Sequence, residues 1–464
     1  MWNFIYNLIS KNSESVLFDK DTKISYGELL KIAEKNGENL KSLLPPKSKC
    51  AILCDKGLNA AVNILSCWYA NMVPIPMSKN YGEKHCRNIV DLTKPDIIIY
   101  DKSYDITVSE NILNPDKYLD DVAIIMCTSG STGTPKGTMI TEQGLIKNVE
   151  NIAAYFDIKK DDKIIIARPL YHCAVLTGEF LLSLYKGLNI GFFDEVYNPL
   201  SVITFIDENK INVICGTPTL LNHIAMYLKR TSHDNYIKKI ALSGEYLSEN
   251  TAKNIRSSFS NADIYNIYGL TEAAPRVSYL PPEYFDLYPE SVGIPLNDTF
   301  IKIVDTENYG KELQNKTNGR ILVKSPSIMK GYYREENLTK SVLIDGWLDT
   351  GDIGYKDRNG FLYIISRADD MIIKAGMNIY PKEIENAINA FDIIDSCVVY
   401  GIKGDNGQNI AIDVVINSTF KYINKKDLMK KFSDVLPHYQ LPTVVNIVSE
   451  LKRNASGKVL RPRI

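Results

Sequence analysis

Residues 122–137 read Val-Ala-Ile-Ile-Met-Cys-Thr-Ser-Gly-Ser-Thr-Gly-Thr-Pro-Lys-Gly, an apolar run followed by glycines, hydroxyls and a lysine. The apolar run predicts a buried strand, and a helix is expected to begin near Thr141. The glycines let backbone N–H groups turn toward a ligand, while the hydroxyls and Lys136 add donors and a positive charge. The segment 128–137 is therefore predicted to hold a polyphosphate. It lacks the GxxxxGK[ST] spacing of a P-loop, and a flexible linker is not expected between a buried strand and a helix.

The chain around this segment alternates apolar β-branched runs with amphipathic stretches up to about residue 270. Short apolar strands separated by helices predict an α/β fold with parallel sheets covered on both faces. Strands are predicted at 50–54, 96–100, 122–127, 163–167, 211–215, 237–242 and 264–268. Helices are predicted at 57–70, 141–155, 199–209, 218–229 and 248–259.

The pattern changes after about residue 290. Strand-like runs at 300–304, 320–323 and 361–365 are separated by Gly, Asn and Asp turns, which predicts a distorted antiparallel barrel-like segment over 290–365. Further apolar runs at 396–400, 410–416 and 444–448 predict a small α+β lobe. We expect an N-terminal domain over 1–366 and a mobile C-terminal domain over 367–464.

Composition excludes several classes of protein. The 464 residues are 45% hydrophobic and 23% charged, with 54 Lys+Arg against 55 Asp+Glu, which excludes disorder and gives no electrostatic reason to expect nucleic acid. No apolar run is long enough to span a membrane, and the first residues lack the basic start of a signal peptide. The eight cysteines contain no CxxC pair, which indicates reduced thiols and a cytoplasmic protein.

Eight motifs in order resemble those of the AMP-forming adenylating enzymes, which include acyl- and aryl-CoA synthetases, nonribosomal peptide synthetase adenylation domains and luciferases. The first is the phosphate segment 128–137, and the second is Tyr-Asn-Ile-Tyr-Gly-Leu-Thr-Glu at 265–272. The others lie at 319–333, 347–352, 366–369, 380–385, 436–442 and 454–458. Because the resemblance covers nearly the whole chain, it implies an acid–thiol ligase. Such an enzyme joins a carboxylic acid to AMP from ATP and then passes the acyl group to a thiol.

The resemblance also implies which residues hold the nucleotide. The predicted cofactor-binding residues are Thr128, Ser129, Gly130, Ser131, Thr132, Gly133, Lys136, Gly244, Glu245, Asn266, Tyr268, Gly269, Asp352 and Arg367. Among them, Tyr268 is suited to stack on adenine, and the Asp352 carboxylate is suited to accept from two ribose hydroxyls.

Four residues are predicted to be catalytic because negative charge builds on the phosphates as pyrophosphate leaves. Glu272 is suited to hold Mg²⁺ against the phosphates, and Thr271 would donate to the α-phosphate. Lys458 lies in an Asn-Ala-Ser-Gly loop and would neutralise the charge between the carboxylate and the α-phosphate. His172 is the fourth, placed beside the acyl carboxylate. Asp369 resembles the hinge about which the family's small lobe rotates.

The acyl pocket is predicted to include His172, Cys173, Gly216, Thr217 and Gly269. Amino-acid-activating relatives carry a Phe-Asp pair where this chain has Tyr171 and His172. Without a buried carboxylate to pair with a substrate ammonium, an α-amino acid is disfavoured. A small carboxylic acid with an apolar or aromatic body is therefore the predicted substrate.

Several alternatives remain open at this point. The thiol can belong to CoA or to the phosphopantetheine arm of a carrier protein, which would act in trans because no carrier domain follows Ile464. A stand-alone amino-acid adenylation enzyme would need a carboxylate elsewhere in the pocket. A non-catalytic nucleotide-binding paralogue would release no pyrophosphate. Oxygen-dependent light emission has only the family resemblance in its favour.

Overall fold

The structure is a computed structural model that describes residues 1–78, 82–100, 104–105, 117–129, 135–374, 377–404, 407–417, 420, 423–452 and 459–462. Up to residue 192 its elements are α1 (Trp2–Lys11), β1 (Val16–Phe18), β2 (Lys23–Ser25), α2 (Tyr26–Leu43), β3 (Lys49–Leu53), α3 (Gly57–Tyr69), β4 (Val73–Met77), α4 (Glu83–Thr93), β5 (Ile97–Tyr100), β6 (Tyr104–Asp105), β7 (Val122–Ser129), β8 (Pro135–Thr141), α5 (Glu142–Tyr155), β9 (Lys163–Ile166), α6 (Cys173–Val175), α7 (Leu182–Lys186) and β10 (Asn189–Phe192). A π-helical turn, Leu176–Leu181, joins α6 to α7.

The remaining elements begin with three helices that alternate with strands. They are α8 (Pro199–Asn209), β11 (Val213–Gly216), α9 (Pro218–Thr231), β12 (Lys239–Ser243), α10 (Glu249–Ser258), β13 (Asp263–Gly269), β14 (Arg276–Leu280), β15 (Ile294–Pro295), β16 (Phe300–Val304), β17 (Gly319–Lys324), β18 (Gly331–Tyr332), α11 (Glu336–Val342), β19 (Leu343–Ile344), β20 (Trp347–Lys356), β21 (Leu362–Arg367), β22 (Ile372–Lys374), β23 (Met377–Ile379), α12 (Pro381–Asn389), β24 (Ile394–Gly404), β25 (Gly407–Ile416), α13 (Lys425–Val435) and β26 (Val444–Val448).

The α/β fold class is confirmed by a nine-stranded sheet in the order β15-β14-β13-β12-β11-β9-β10-β1-β2. Its central pairs, from β13 to β1, are parallel. Alternate residues of β9 pack on opposite faces of the sheet. Ile164 and Ile166 belong to one hydrophobic cluster, and Ile165 belongs to another. Both faces of this sheet are therefore buried, as the continuous apolar runs predict.

The strands and helices predicted before residue 270 are confirmed, with ends shifted by at most two residues. Strand β8 was not predicted; it lies before α5 and pairs antiparallel with β7. The helix begins next to the predicted position, where the Thr141 side chain accepts from the Gly144 N–H and caps it.

The later strands are also present where they were predicted. In the barrel-like segment, the sheet order is β16-β17-β20-β19 with β21 on β20, and among the described strands no pair joins the outer members into a closed barrel. Strand β18 of the same segment pairs instead with β8. The C-terminal strands form a further sheet, β23-β22-β25-β24 with β26 on β25.

The chain divides into two compact units, the first Met1–Ile301 with Val323–Leu348 and the second Lys302–Leu322 with Asp349–Ile464. A separate hydrophobic core that includes Ile384, Val399 and Phe432 stabilises the second unit. The predicted domain boundary between residues 366 and 367 divides the chain into parts that are expected to move as units. This boundary stays a prediction. Among the described residues, no helix is long and apolar enough to cross a membrane.

Candidate functional site

The β7–β8 hairpin carries the ends of the predicted phosphate segment. Thr128 lies opposite Lys136, and Ser129 lies opposite Pro135. The predicted ligands between these strands lie outside the described residues; they are Gly130, Ser131, Thr132 and Gly133. The Lys136 ammonium lies 5.2 Å from the centre of the Tyr332 ring, a favourable cation–π distance.

Glu272 lies in a short 3₁₀ turn, Thr271–Ala273, just after β13. Its Oε1 accepts a 2.7 Å hydrogen bond from the Tyr332 hydroxyl, and its backbone carbonyl accepts from the Met329 N–H at 2.8 Å. Tyr332 therefore contacts both Glu272 and Lys136, and brings two predicted site residues together. The motif that contains Tyr332 is visible in the sequence, but its role as a link between them is not.

The turn that carries Glu272 is held by Asn148 of α5, a residue that the sequence did not single out. The fully buried Asn148 amide donates to the carbonyls of Ala273 and Arg276 at 3.2 and 3.0 Å, and its oxygen accepts from the Arg276 N–H. Gly269 lies at the base of the same turn. A Cβ there would approach the Pro275 carbonyl oxygen to 2.3 Å, so only glycine fits.

Two other residues of the 265–272 motif have different surroundings. Tyr268 is largely buried, and its stacking on adenine stays a prediction. The Asn266 side chain is buried and donates to the carbonyls of Pro289 and Ser291 at 3.1 and 2.9 Å. Its amide group is thus used to hold a neighbouring loop, and its predicted contact with nucleotide remains untested.

Gly216 is the last residue of β11 and Thr217 follows it, while Gly244 and Glu245 follow the neighbouring strand β12. A Cβ on Gly244 would lie 3.8 Å from the Thr217 methyl group, so the predicted acyl and nucleotide residues are adjacent here. The Thr217 side chain caps α9, and Glu245 Oε2 accepts from the Thr219 N–H at 3.1 Å. Both side chains therefore support the first turn of α9.

His172 precedes α6, and its ring centre lies 4.4 Å from that of Tyr171. Burial and the nearby Arg168 charge lower the pKa of His172 to about 3, so the ring is neutral near pH 7. Burial raises the pKa of Cys173 to about 12, with a smaller contribution in the same direction from Glu272. The thiol is therefore protonated, and neither group is a charged partner for a ligand.

Three charged side chains border the segment 172–178, and two of them, Glu179 and Arg276, are buried. Glu179 in the π-helical turn is completely buried, and its Oε1 accepts from Arg168 Nη2 at 2.6 Å. Arg276 is also buried and donates to the Gly178 carbonyl at 3.2 Å and to the Tyr155 hydroxyl. The described residues thus include a buried carboxylate in the segment that follows His172, but Glu179 is already paired with Arg168, and the expectation that the Tyr171–His172 position offers no carboxylate to a substrate ammonium stays a prediction. The sequence feature that could have predicted this buried carboxylate is the glutamate within the apolar run 175–184.

In the second unit, Asp352 and Arg367 face each other on β20 and β21. Arg367 Nη1 donates to Asp352 Oδ1 at 2.8 Å and to the Thr350 carbonyl at 3.0 Å. Asp352 is buried while Arg367 is exposed, so the ion pair orients a guanidinium toward solvent. The predicted ribose-binding residues are thus neighbours.

The remaining predicted residues belong to the second unit too. Asp369 is exposed in the short 3₁₀ helix Ala368–Asp370, and its role as a hinge stays a prediction. Lys458 lies outside the described residues. Nearby Arg461 pairs with Glu385 at 2.7 Å and with Asp370 at 3.4 Å, which anchors the chain just after the predicted catalytic lysine.

The Asn148 contacts predict that two alanine variants of α5 differ in stability. Replacing Asn148 by alanine removes three hydrogen bonds to buried backbone groups and should lower the free energy of unfolding by about 2–4 kcal/mol. Asn151→Ala is the matched control, because within the described ranges that side chain donates to one group, the Asn297 carbonyl. Thermal denaturation should show a clearly larger fall in midpoint for Asn148→Ala. Equal falls would contradict the role of Asn148 in holding the turn.

The neutral His172 predicts a pH effect on stability. The unfolded state takes up a proton below a pKa of about 6.5, whereas the native ring stays neutral until about pH 3, so stability is lost as pH falls through this range. Between pH 7 and 5, wild type should lose about 1–2 kcal/mol more than His172→Gln in urea unfolding. Exposed His223→Gln is the control, and parallel losses in all three proteins would refute the prediction.

Comparison with known proteins identifies the family. Residues 9–333 match the family described as AMP-binding enzyme, and residues 383–458 match the AMP-binding enzyme C-terminal domain. Feruloyl-CoA synthase from an Amycolatopsis species is 30% identical over 75% of this chain and 70% of that protein. The 2-succinylbenzoate–CoA ligase of Bacillus licheniformis is 27% identical over 96% of this chain and 95% of that protein.

The fold of the chain also matches a solved structure. The O-succinylbenzoate coenzyme A synthetase of Bacillus subtilis, in complex with ATP and magnesium ion, is 24% identical with a TM-score of 0.87, and the match covers 99% of this chain and 98% of that one. Since the first family match alone spans well over half of the residues, the chain belongs to the AMP-binding enzymes.

Proposed function

We propose that this enzyme is an AMP-forming acid–thiol ligase that converts a carboxylic acid to a thioester at the expense of ATP. In the first step, a carboxylate oxygen attacks the α-phosphorus and pyrophosphate leaves. In the second, a thiol attacks the acyl carbon and AMP leaves. The two curated relatives are a CoA synthase and a CoA ligase by name, and they support this reaction class.

The observation that carries the proposal is the meeting of Lys136 and Glu272 on Tyr332. A lysine at the end of the glycine-rich hairpin supplies a positive charge for phosphates. A half-buried carboxylate beside it, held by a tyrosine hydroxyl, can bind a metal ion that also contacts phosphate oxygens. Such a pairing of charges is suited to stabilise the attack of a carboxylate oxygen on the α-phosphorus, the step that transfers the AMP group.

The residues present fit Mg²⁺ held mainly by substrate. Among the described residues, no group of three or more His, Cys, Asp or Glu side chains could hold a metal alone. Mg²⁺ commonly binds one or two carboxylates together with nucleotide phosphates, and Glu272 supplies such a carboxylate. When bound, the ion neutralises charge on the phosphates.

We assign the other nucleotide contacts on the family resemblance. Thr271 donates to the α-phosphate, Tyr268 stacks on adenine beside Gly244 and Glu245, and Asp352 and Arg367 bind the ribose. Lys458 neutralises the charge that develops between carboxylate and α-phosphate. Asp369 is the proposed hinge about which residues 367–464 change position between the two half-reactions.

The acid binds beside His172, Cys173, Gly216, Thr217 and Gly269 in this proposal. An amino-acid substrate is disfavoured on new grounds, because Glu179 already pairs with Arg168 and a second guanidinium, Arg276, lies close by. A surplus of positive charge repels a substrate ammonium.

The acceptor is CoA or a carrier-protein phosphopantetheine arm that acts in trans. The relatives favour CoA, because both are named for CoA thioesters. All eight cysteines are free thiols, which supports a reducing compartment and hence the cytoplasm.

A pyrophosphate-release assay tests the proposal. Fatty, aryl and amino acids are each supplied with MgATP, with and without CoA, and product thioester is measured in parallel. We expect release with at least one fatty or aryl acid and thioester only when CoA is present. Release with amino acids alone would support the carrier-loading alternative, and no release with any acid would support a non-catalytic paralogue.

The role of the C-terminal lysine can be tested with the same substrates. Lys458→Ala should reduce ATP–pyrophosphate exchange at least about 100-fold, because the developing charge loses a cation. The nearby exposed Lys452→Ala is the control and should keep wild-type exchange. Exchange close to wild type in Lys458→Ala would overturn the assignment.

A further inference from the structure

Tyr332 contacts two side chains of opposite charge in the proposed nucleotide site. Its hydroxyl donates to Glu272 Oε1 at 2.7 Å, and its ring centre lies 5.2 Å from the Lys136 ammonium. A carboxylate and an ammonium that share one neighbour attract each other strongly in a half-buried site. Within the described ranges, however, neither of them takes part in an ion pair. Each contacts Tyr332 instead.

Strand pairing fixes the position of Tyr332 relative to Lys136. Tyr332 lies opposite Thr138 in the antiparallel pair of β18 and β8, and Lys136 is two residues before Thr138 on β8. Side chains two residues apart on a strand point to the same face, so Tyr332 and Lys136 are diagonal cross-strand neighbours. The pairing of the two strands therefore brings the tyrosine ring to the ammonium.

Packing and backbone hydrogen bonds hold the ring in this position. Tyr332 is 5% exposed and packs in a small hydrophobic cluster with Met329 and Leu348. Its N–H donates to Thr339 Oγ1 at 2.9 Å, and the Met329 N–H donates to the carbonyl of Glu272 at 2.8 Å. Both partners of the tyrosine–carboxylate hydrogen bond are thus fixed by contacts of their own, before any ligand binds.

We propose that Tyr332 is a positioning residue that keeps Lys136 and Glu272 from pairing with each other before MgATP binds. Its hydroxyl satisfies one carboxylate oxygen, and its ring face stabilises the ammonium. The positive charge of Lys136 then stays available for the phosphates, and the carboxylate of Glu272 stays available for the metal ion. The inference rests on the proposed function and adds to it a residue that acts through these two side chains.

Loss of the hydroxyl is expected to weaken binding of the metal–nucleotide complex. In Tyr332→Phe the carboxylate of Glu272 loses its hydrogen-bond donor, and the ammonium of Lys136 is the nearby group that can replace it. MgATP then has to break an ion pair that the wild-type enzyme never forms. A ligand whose binding-competent state is only a fraction of the population binds more weakly by that fraction.

The test measures MgATP binding by isothermal titration calorimetry with no acid present, so that no acyl-adenylate forms. Tyr332→Phe should raise the dissociation constant of MgATP at least about tenfold, the loss expected for a hydrogen bond to a charged group. AMP lacks the β- and γ-phosphates and needs no metal ion, so its dissociation constant should stay within about threefold of wild type.

Two background variants show whether the effect depends on an ion pair. The pair cannot form in Glu272→Gln or in Lys136→Met, so adding Tyr332→Phe to either should change MgATP binding by less than about threefold. If the hydroxyl only oriented Glu272, the effect of Tyr332→Phe would persist in Lys136→Met, and the inference would be overturned.

A crystal structure of the Tyr332→Phe variant without ligand gives a second readout that does not depend on affinity. The Lys136 ammonium should lie within ion-pair distance of the Glu272 carboxylate. Two side chains that remain apart would overturn the inference, whatever the binding constants are.

Tyr26→Phe is the control for loss of a buried tyrosine hydroxyl. Tyr26 is completely buried on α2, and its hydroxyl donates to the Leu188 carbonyl at 2.6 Å. This variant should keep the wild-type dissociation constant for MgATP, and thermal midpoints of all variants report on folding.

The outcomes distinguish this inference from the proposed function. Unchanged MgATP binding in Tyr332→Phe, or an equal loss for MgATP and AMP, would overturn the inference and leave the ligase proposal standing. A wild-type enzyme that binds no MgATP and releases no pyrophosphate with any acid of the screen would overturn both.

Discussion

Parallel strands that end at one edge of a sheet are the constraint on which this candidate site depends. Strands β13, β12, β11 and β9 are neighbours in that order. The predicted residues Gly269 and Gly216 end two of these strands, and Gly244 and His172 follow the other two. Parallel pairing forces each chain segment to leave the sheet on the same side. Residues far apart in sequence are thereby gathered without any direct contact between their motifs.

Polar side chains that hydrogen-bond to the backbone fix the positions of the site residues at this edge of the sheet. Asn148 ties the Glu272 turn to α5, and Asn266 and Glu245 each hold a neighbouring loop or helix start. Tyr332 then connects Glu272 to Lys136 of the hairpin. Catalytic groups act best when surrounding contacts fix their positions before substrate binds, and here buried hydrogen bonds supply that order.

Most of the secondary structure and part of the candidate site could be predicted from the sequence, because apolar periodicity and motif order are local signals. The strand and helix positions before residue 270 follow from them, as does the placement of Glu272 just after a strand. The strand β8 was missed because its Pro, Lys and Gly are typical of a loop, and pairing with β7 and β18 makes it a strand. The Arg168–Glu179 pair was missed because ion pairing at a strand end depends on tertiary structure.

The most direct measurement follows oxygen atoms through one turnover. The acid that best supports pyrophosphate release is labelled with oxygen-18 in its reacting carboxylate and incubated with MgATP and CoA. If a carboxylate oxygen attacks the α-phosphorus and the thiol then displaces the nucleotide, mass spectrometry of the AMP will find one labelled oxygen in each molecule. Unlabelled AMP, with the label in pyrophosphate or phosphate, would show that the carboxyl group is never joined to AMP.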